Sequence, residues 1–190
     1  MSKIKENSGV LVQGHIKIHD PESGAVFVNK RNAIHYENMS IALAESVANQ
    51  GQGFISSMAF GNGGTSVDPT GIITYLTPNS TGTNASLYNQ TFTKIVDDRS
   101  VSNLDPQRNK IETRHVNGTN YTDVVVTCLL DYGEPNGQDA TDTASASDSL
   151  YVFDELGLTS YASSGTGKLL THVIFHPVQK SLNRLIQIDY

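Results

Sequence analysis

The sequence contains a single cysteine and no tryptophan, and only 17% of its 190 residues are charged. One thiol, Cys128, excludes an intrachain disulfide framework and a cysteine-rich zinc site. No stretch approaches the roughly 20 consecutive apolar residues that span a bilayer, so we expect no membrane partner. Residues 1–20 also lack the apolar segment of a secretory signal. We therefore expect a soluble protein that is made and kept without disulfides.

The charge balance is mildly acidic. Thirteen Lys and Arg residues stand against 19 Asp and Glu residues, which gives a formal net charge of -6. A general nucleic-acid surface needs clustered basic residues to displace counterions, so we expect no nucleic-acid partner. The length suits one domain over residues 1–190, with a core of useful size.

Strand-like patterns dominate the chain. Val10, Val12, Ile16 and Ile18 alternate with polar residues, and a turn at 20–24 predicts a β-hairpin over residues 10–29. Further strand-like segments lie at 54–60, 72–76, 87–96, 110–116, 121–130, 150–155, 169–175 and 184–190. No internal repeat is visible. The pattern predicts a mainly β protein, an antiparallel β-sandwich of roughly seven to nine strands.

One segment has helical periodicity. Met39, Leu43 and Val47 recur at four-residue spacing among small alanines, and Gly51 and Gly53 follow as stop signals. We predict one α-helix at about residues 33–50, with its apolar stripe packed on one side of the sandwich. A helix that binds a partner is the alternative.

Two long polar segments interrupt the strands. Residues 61–86 are rich in Gly, Ser, Thr and Asn, and residues 131–149 are acidic, with no aliphatic residue larger than Ala. Loops of this length in a compact domain are functional or mobile. Because they carry little bulky apolar surface, their own core cannot hold them. We predict that both are ordered against a neighbouring subunit or another protein, and two mobile surface loops are the alternative.

The Gly-rich sequence Phe-Gly-Asn-Gly-Gly-Thr at residues 60–65 invites comparison with a phosphate-binding loop. It lacks the GxGxxG spacing and the terminal GK[ST] of such loops. A tight turn, in which glycines adopt positive φ, is the favoured interpretation.

Histidines offer a second candidate site. On a strand, His172 and His176 would share one face about 13 Å apart, too far to bind one metal together. We interpret both as structural residues. A three-histidine metal site that also uses His15 or His19 stays open as the alternative.

Acidic residues offer candidate metal ligands and candidate catalytic pairs. Five lie in or beside the second loop but miss the DxDxDG spacing of calcium loops: Asp131, Glu134, Asp139, Asp142 and Asp148. The adjacent pairs Asp97-Asp98 and Asp154-Glu155 would point to opposite faces of a strand and could not form a catalytic couple. Cys128 is expected to be a buried small hydrophobe. We therefore predict no catalytic, cofactor-binding or metal-binding residues, no cofactor and no enzymatic activity.

Four stretches of the sequence resemble a known group of proteins. They are NAIHYENMSIALAESVANQ at 32–50, ISSMAFGNGGTSVDPTGIITYL at 55–76, LYVFDELGL at 150–158, and GKLLTHVIFHPVQKSLNRLIQIDY at 167–190. Together they resemble small virion proteins of tailed bacteriophages, a group that includes neck, collar and tail-fibre-attachment components. The resemblance covers most of the chain outside 79–148. No repeat-rich fibrous shaft follows the compact part, which favours a ring or attachment component over a fibre.

The resemblance implies a non-enzymatic viral structural protein, assembled in the bacterial host cytoplasm into the virion. The implied assembly is a symmetric homo-oligomeric ring at the neck or collar, with other neck, tail or head proteins as partners. A tail-fibre module that binds a receptor or glycan, or a capsid decoration protein, is the alternative. Tyrosines near loops could stack on sugars, although the lack of tryptophan weighs against it. A virion-associated hydrolase is least favoured, because the sequence offers no residue set for it.

Overall fold

The computed structural model describes residues 9–135 and 150–190. In these residues the chain forms one α-helix, α1 (Tyr36–Val47), and the following strands: β1 (His15–His19), β2 (Val26–Arg31), β3 (Ala33–Ile34), β4 (Ile55–Gly61), β5 (Thr65–Val67), β6 (Ile73–Tyr75), β7 (Gln90–Ile95), β8 (Lys110–His115), β9 (Thr122–Leu130), β10 (Leu150–Ser160), β11 (Thr171–Ser181) and β12 (Ile186–Asp189). The helix is too short and too polar to cross a membrane.

Two antiparallel sheets pack face to face. Sheet I has five strands in the order β2-β1-β12-β9-β8, and sheet II has five in the order β3-β11-β10-β4-β7. The hairpin β5-β6 stands apart as a two-stranded sheet. The predicted antiparallel β-sandwich with one helix is confirmed. In the described residues the two sheets hold ten strands, against the seven to nine predicted, because the predicted helix range of 33–50 includes the short strand β3.

The core lies between the two sheets. Ile16 and Ile18 of β1 pack with Ile186 and Ile188 of β12, and all four side chains are fully buried. From the other sheet, Phe60, Phe153 and Phe175 meet edge to face, with ring centroids 5.5 and 5.7 Å apart. Such aromatic pairs add to the stabilisation from area burial.

The single cysteine and the first hairpin behave largely as predicted. Cys128 is buried in the core, and burial raises the pKa of its thiol to about 12. Strands β1 and β2 pair with Ile18 opposite Val28. The strand begins at His15 rather than Val10. The preceding Gly14 packs against Asn32, and a Cβ there would lie 2.1 Å from the Asn32 side chain.

The helix lies within the predicted range, but the side that packs against the domain is not the predicted one. Leu43 and Val47 are exposed, and the buried side chains are Asn38 and Ala42. The cause is polar: the N-cap His35 is buried, and the Asn38 Nδ2 donates to the Leu169 carbonyl at 2.9 Å. These contacts turn the 38–42 side of the helix toward the domain. The predicted packing of the Met39–Leu43–Val47 stripe against the sheet is therefore wrong.

Candidate functional site

A buried pair of carboxylates with many hydrogen bonds lies where the alternation of β10 changes. Tyr151 and Phe153 point into the core, and so do Leu156 and Leu158, which have the opposite parity. The change requires an irregularity, and the pairing of β10 with β11 shifts between Phe153 and Glu155. Consequently Asp154 and Glu155 both leave the core face, so the prediction that they point to opposite faces is wrong.

The Glu155 carboxylate is buried, and both of its oxygens accept two hydrogen bonds. Its Oε1 accepts the backbone N–H groups of Gly63 (3.1 Å) and Asn89 (2.8 Å). Its Oε2 accepts the backbone N–H of Tyr88 (3.0 Å) and the Nε2–H of His172 (3.0 Å). A carboxylate has about four lone-pair positions, and all are used here.

These donors decide the charge of the group. Burial alone would raise the pKa of Glu155, but the hydrogen bonds from His172 and from the amides of Asn89, Tyr88 and Gly63 outweigh it and lower the pKa below its ordinary value. Glu155 is therefore an ionised carboxylate at neutral pH. Its partner His172 is neutral, because Nδ1 accepts the N–H of Asn79 at 2.8 Å and the ring proton must sit on Nε2.

Asp154 binds the same loop beside Glu155. Its Oδ1 accepts the N–H of Gly64 at 2.9 Å, and its Oδ2 accepts the N–H of Thr65 at 2.8 Å and the Thr65 hydroxyl. Together the two carboxylates occupy the N–H groups of residues 63–65. Those amides cannot also cradle a phosphate, which excludes the phosphate-loop interpretation.

The glycines of this turn serve close approach rather than unusual dihedrals. Gly61, Gly63 and Gly64 all lie outside the positive-φ region, so the expected reason for them is wrong. A Cβ on Gly61 would lie 2.5 Å from the Asn89 carbonyl and 2.5 Å from the Glu155 Oε1. Glycine is required because the carboxylate and a neighbouring backbone occupy the space of a side chain.

Buried histidines tie down the rest of the segment 61–89. His172 bonds to Asn79, and His35 donates Nε2–H to the Gly82 carbonyl at 3.0 Å while its Nδ1 accepts the N–H of Asn38. His176 lies on β11 as predicted but is exposed, with its Nδ1 3.2 Å from the Tyr75 hydroxyl. His172 is buried and hydrogen-bonded at both ring nitrogens, to Asn79 and to Glu155.

The first long loop is thus held by its own domain. Four side chains of the domain bind the loop backbone at residues 63–65, 79 and 82: Asp154, Glu155, His172 and His35. The premise that nothing in its own domain holds the 61–86 loop is therefore wrong. Its β5-β6 hairpin projects Val67 and Ile72 into solvent. The second loop, 131–149, is described only up to residue 135.

The remaining candidates are dispersed. Over residues 9–135 and 150–190 no group of three or more His, Cys, Asp or Glu side chains comes together as a metal site. Asp131 pairs with Arg108 and Glu134 with Lys94, while Asp139, Asp142 and Asp148 lie outside the described residues. Asp97 is buried and Asp98 exposed, but both lie beyond the end of β7, so strand alternation does not apply to this pair.

A second polar surface covers the outer face of sheet I. Lys17, Asp189, Thr127 and Lys110 form one cross-strand row, and a shallow depression of about 660 Å³ lies over strands β12, β9 and β8. Its charges are largely paired: Glu112 contacts Lys110 at 3.1 Å and Arg114 at 3.0 Å. Strand alternation alone could have located this face, since residues 110, 112 and 114 are all charged.

Comparison with known proteins finds no match among family models, curated proteins or solved structures.

Proposed function

We propose that the chain is a non-enzymatic structural protein of a tailed bacteriophage virion. It assembles as a symmetric homo-oligomer at the neck or collar, between head and tail, with other neck, tail or head proteins as neighbours. The sequence resemblance over residues 32–76 and 150–190 motivates the class of protein.

The observation that carries the proposal is the set of exposed aliphatic side chains on tightly hydrogen-bonded loops. Val101 and Leu104 are 100% and 97% exposed, and Val67 and Ile72 project from the anchored β5-β6 hairpin. Single exposed apolar residues are ordinary, but apolar side chains on a loop that is already ordered can be buried against a neighbouring subunit at a smaller entropic cost.

The use of the buried polar residues supports the same proposal. Four buried side chains form hydrogen bonds to the backbone of residues 63–89: Glu155, Asp154, His172 and His35. Their chemistry holds a loop in a fixed shape, which is what a subunit needs when it must fit identical neighbours.

The proposal is tested by whether the purified protein assembles. Light scattering and negative-stain images of the purified protein are expected to give a closed oligomer, or binding to purified head or tail particles. An obligate monomer with no affinity for either particle would contradict the proposal.

A receptor- or glycan-binding module, or a capsid decoration protein, is the second candidate. The polar depression on sheet I favours it, because Gln187, Glu112 and Arg114 offer hydrogen-bonding groups on an open face. A glycan array or a host-cell adsorption assay distinguishes the two: specific binding abolished by Arg114→Ala supports the module, and no binding supports the assembly subunit.

A further inference from the structure

The connection between β7 and β8 is an internally hydrogen-bonded loop that displays two aliphatic side chains, Val101 and Leu104, almost entirely to solvent. We name residues 97–109 the projecting loop. The buried Asn103 donates from Nδ2 to the carbonyls of Asp97 (3.1 Å) and Asn109 (2.8 Å). Asn109 in turn accepts the N–H of Leu129 in β9 through Oδ1 at 2.8 Å. The loop is therefore closed on itself and fixed to sheet I.

Val101 and Leu104 lie at the outside of this loop. They are 100% and 97% exposed, the two highest fractions among the large apolar residues the structure describes. Because the backbone is already ordered, burying these side chains in a partner would cost little further conformational entropy. The loop is preorganised to insert an aliphatic pair into an apolar recess.

A mainly apolar recess lies at the edge of the sandwich opposite the projecting loop. We name it the edge pocket. It has a volume of about 130 Å³ and is lined mainly by apolar side chains: Ala33, Tyr75, Leu76, Pro78, Val173 and Ile174. Lys30 and Arg31 of β2 complete the lining, and Arg31 is exposed.

The order of the strands separates the two features. The projecting loop joins β7 to β8, which form one edge of the two sheets, whereas the edge pocket is built on β2, β3 and β11 at the other edge. Four strand spacings amount to about 19 Å, so a loop cannot reach the pocket of its own chain. Contact between them must join two copies.

Charge agrees with this pairing. Asp98 is exposed at the start of the projecting loop, and the edge pocket carries Lys30 and Arg31. Opposite charges beside an apolar contact favour the correct partner and orientation.

We propose that Val101 and Leu104 of one copy insert into the edge pocket of the next copy. The inference rests on the proposed function and specifies the joint between its subunits. Because two different surfaces meet, the joint is heterologous, and its repetition produces a ring where the rotation closes.

Complementary variants test the joint. Val101→Ser with Leu104→Ser removes the inserted side chains, and Leu76→Asp places a negative charge in the pocket, opposite Asp98. All three residues are exposed, so circular dichroism and urea unfolding should match the wild type. By sedimentation velocity each variant alone should be monomeric, whereas a one-to-one mixture should form a dimer and nothing larger, since only one productive joint remains.

A control and a covalent measurement complete the experiment. Leu43→Ser with Val47→Ser removes exposed aliphatics from the helix and should leave the oligomer unchanged. A Leu76→Cys, Leu104→Cys variant should give a ladder of disulfide-linked species on oxidation, because buried Cys128 does not compete.

The outcomes separate the inference from the proposed function. Wild-type oligomers that survive both interface variants overturn the joint and leave the function standing. A wild-type chain that is present in virions but monomeric in isolation, with no ladder from the cysteine variant, also overturns the joint. A monomer that is absent from virions overturns both.

Discussion

Replacing Glu155 with Gln tests whether the buried carboxylate holds the domain together. The substitution turns one acceptor oxygen into an NH₂ group, which then faces two N–H donors, either those of Gly63 and Asn89 or those of Tyr88 and His172. Each buried donor left without an acceptor costs about 1–3 kcal/mol. We expect the free energy of unfolding to fall by about 3–5 kcal/mol, a large part of the total for a domain of this size.

Urea unfolding followed by far-ultraviolet circular dichroism measures this loss. The matched control is Glu112→Gln, which breaks the paired but half-exposed contacts to Lys110 and Arg114 on sheet I. Exposed ion pairs contribute little, so the control should change stability by less than about 1 kcal/mol. A Glu155→Gln variant within about 0.5 kcal/mol of the wild type would refute the assigned role of the carboxylate.

Glu155, Gly61 and Cys128 each give a further prediction. Because the pKa of Glu155 lies below its ordinary value of 4.5, its stabilisation is complete above that pH and is lost as the pH falls through the lowered pKa. The stability difference between wild type and Glu155→Gln should therefore shrink in urea titrations as the pH falls from about 5 to about 2, and a constant difference would contradict this. Gly61→Ala should lower the free energy of unfolding by about 2 kcal/mol or more, because the added Cβ would lie 2.5 Å from the Asn89 carbonyl oxygen. The control Gly9→Ala, whose Cβ would have nothing within 4 Å, should unfold like the wild type. The Cys128 thiol, with a pKa of about 12, should react with a disulfide reagent at least about 100-fold more slowly in native protein than in urea, and equal rates would show that it is accessible.

Local patterns in the sequence predicted the fold class and most of the strands. Alternation at Ile16 and Ile18 and the turn after them predicted the first hairpin, and the valine-rich segment around Cys128 predicted a strand. Each signal lies within a few residues, because strand faces are determined by a two-residue period. The same reasoning located the helix to within a few residues of its ends.

The carboxylate cluster escaped prediction because its contacts are distant in sequence. Glu155 bonds to residues 66 and 92 positions away. One local signal was available: the apolar residues of YVFDELGL change parity at Asp154-Glu155, which indicates a bulge with both acids on one side. The helix orientation had no such signal, since it depends on Asn38 reaching Leu169 across 131 positions.

The most direct test of the proposed function is immunogold electron microscopy of virions produced by the genome that encodes this chain. With an affinity tag on the chain, gold should be found at the junction between head and tail, in a constant position from particle to particle. Purified virions that contain none of the chain would contradict the account.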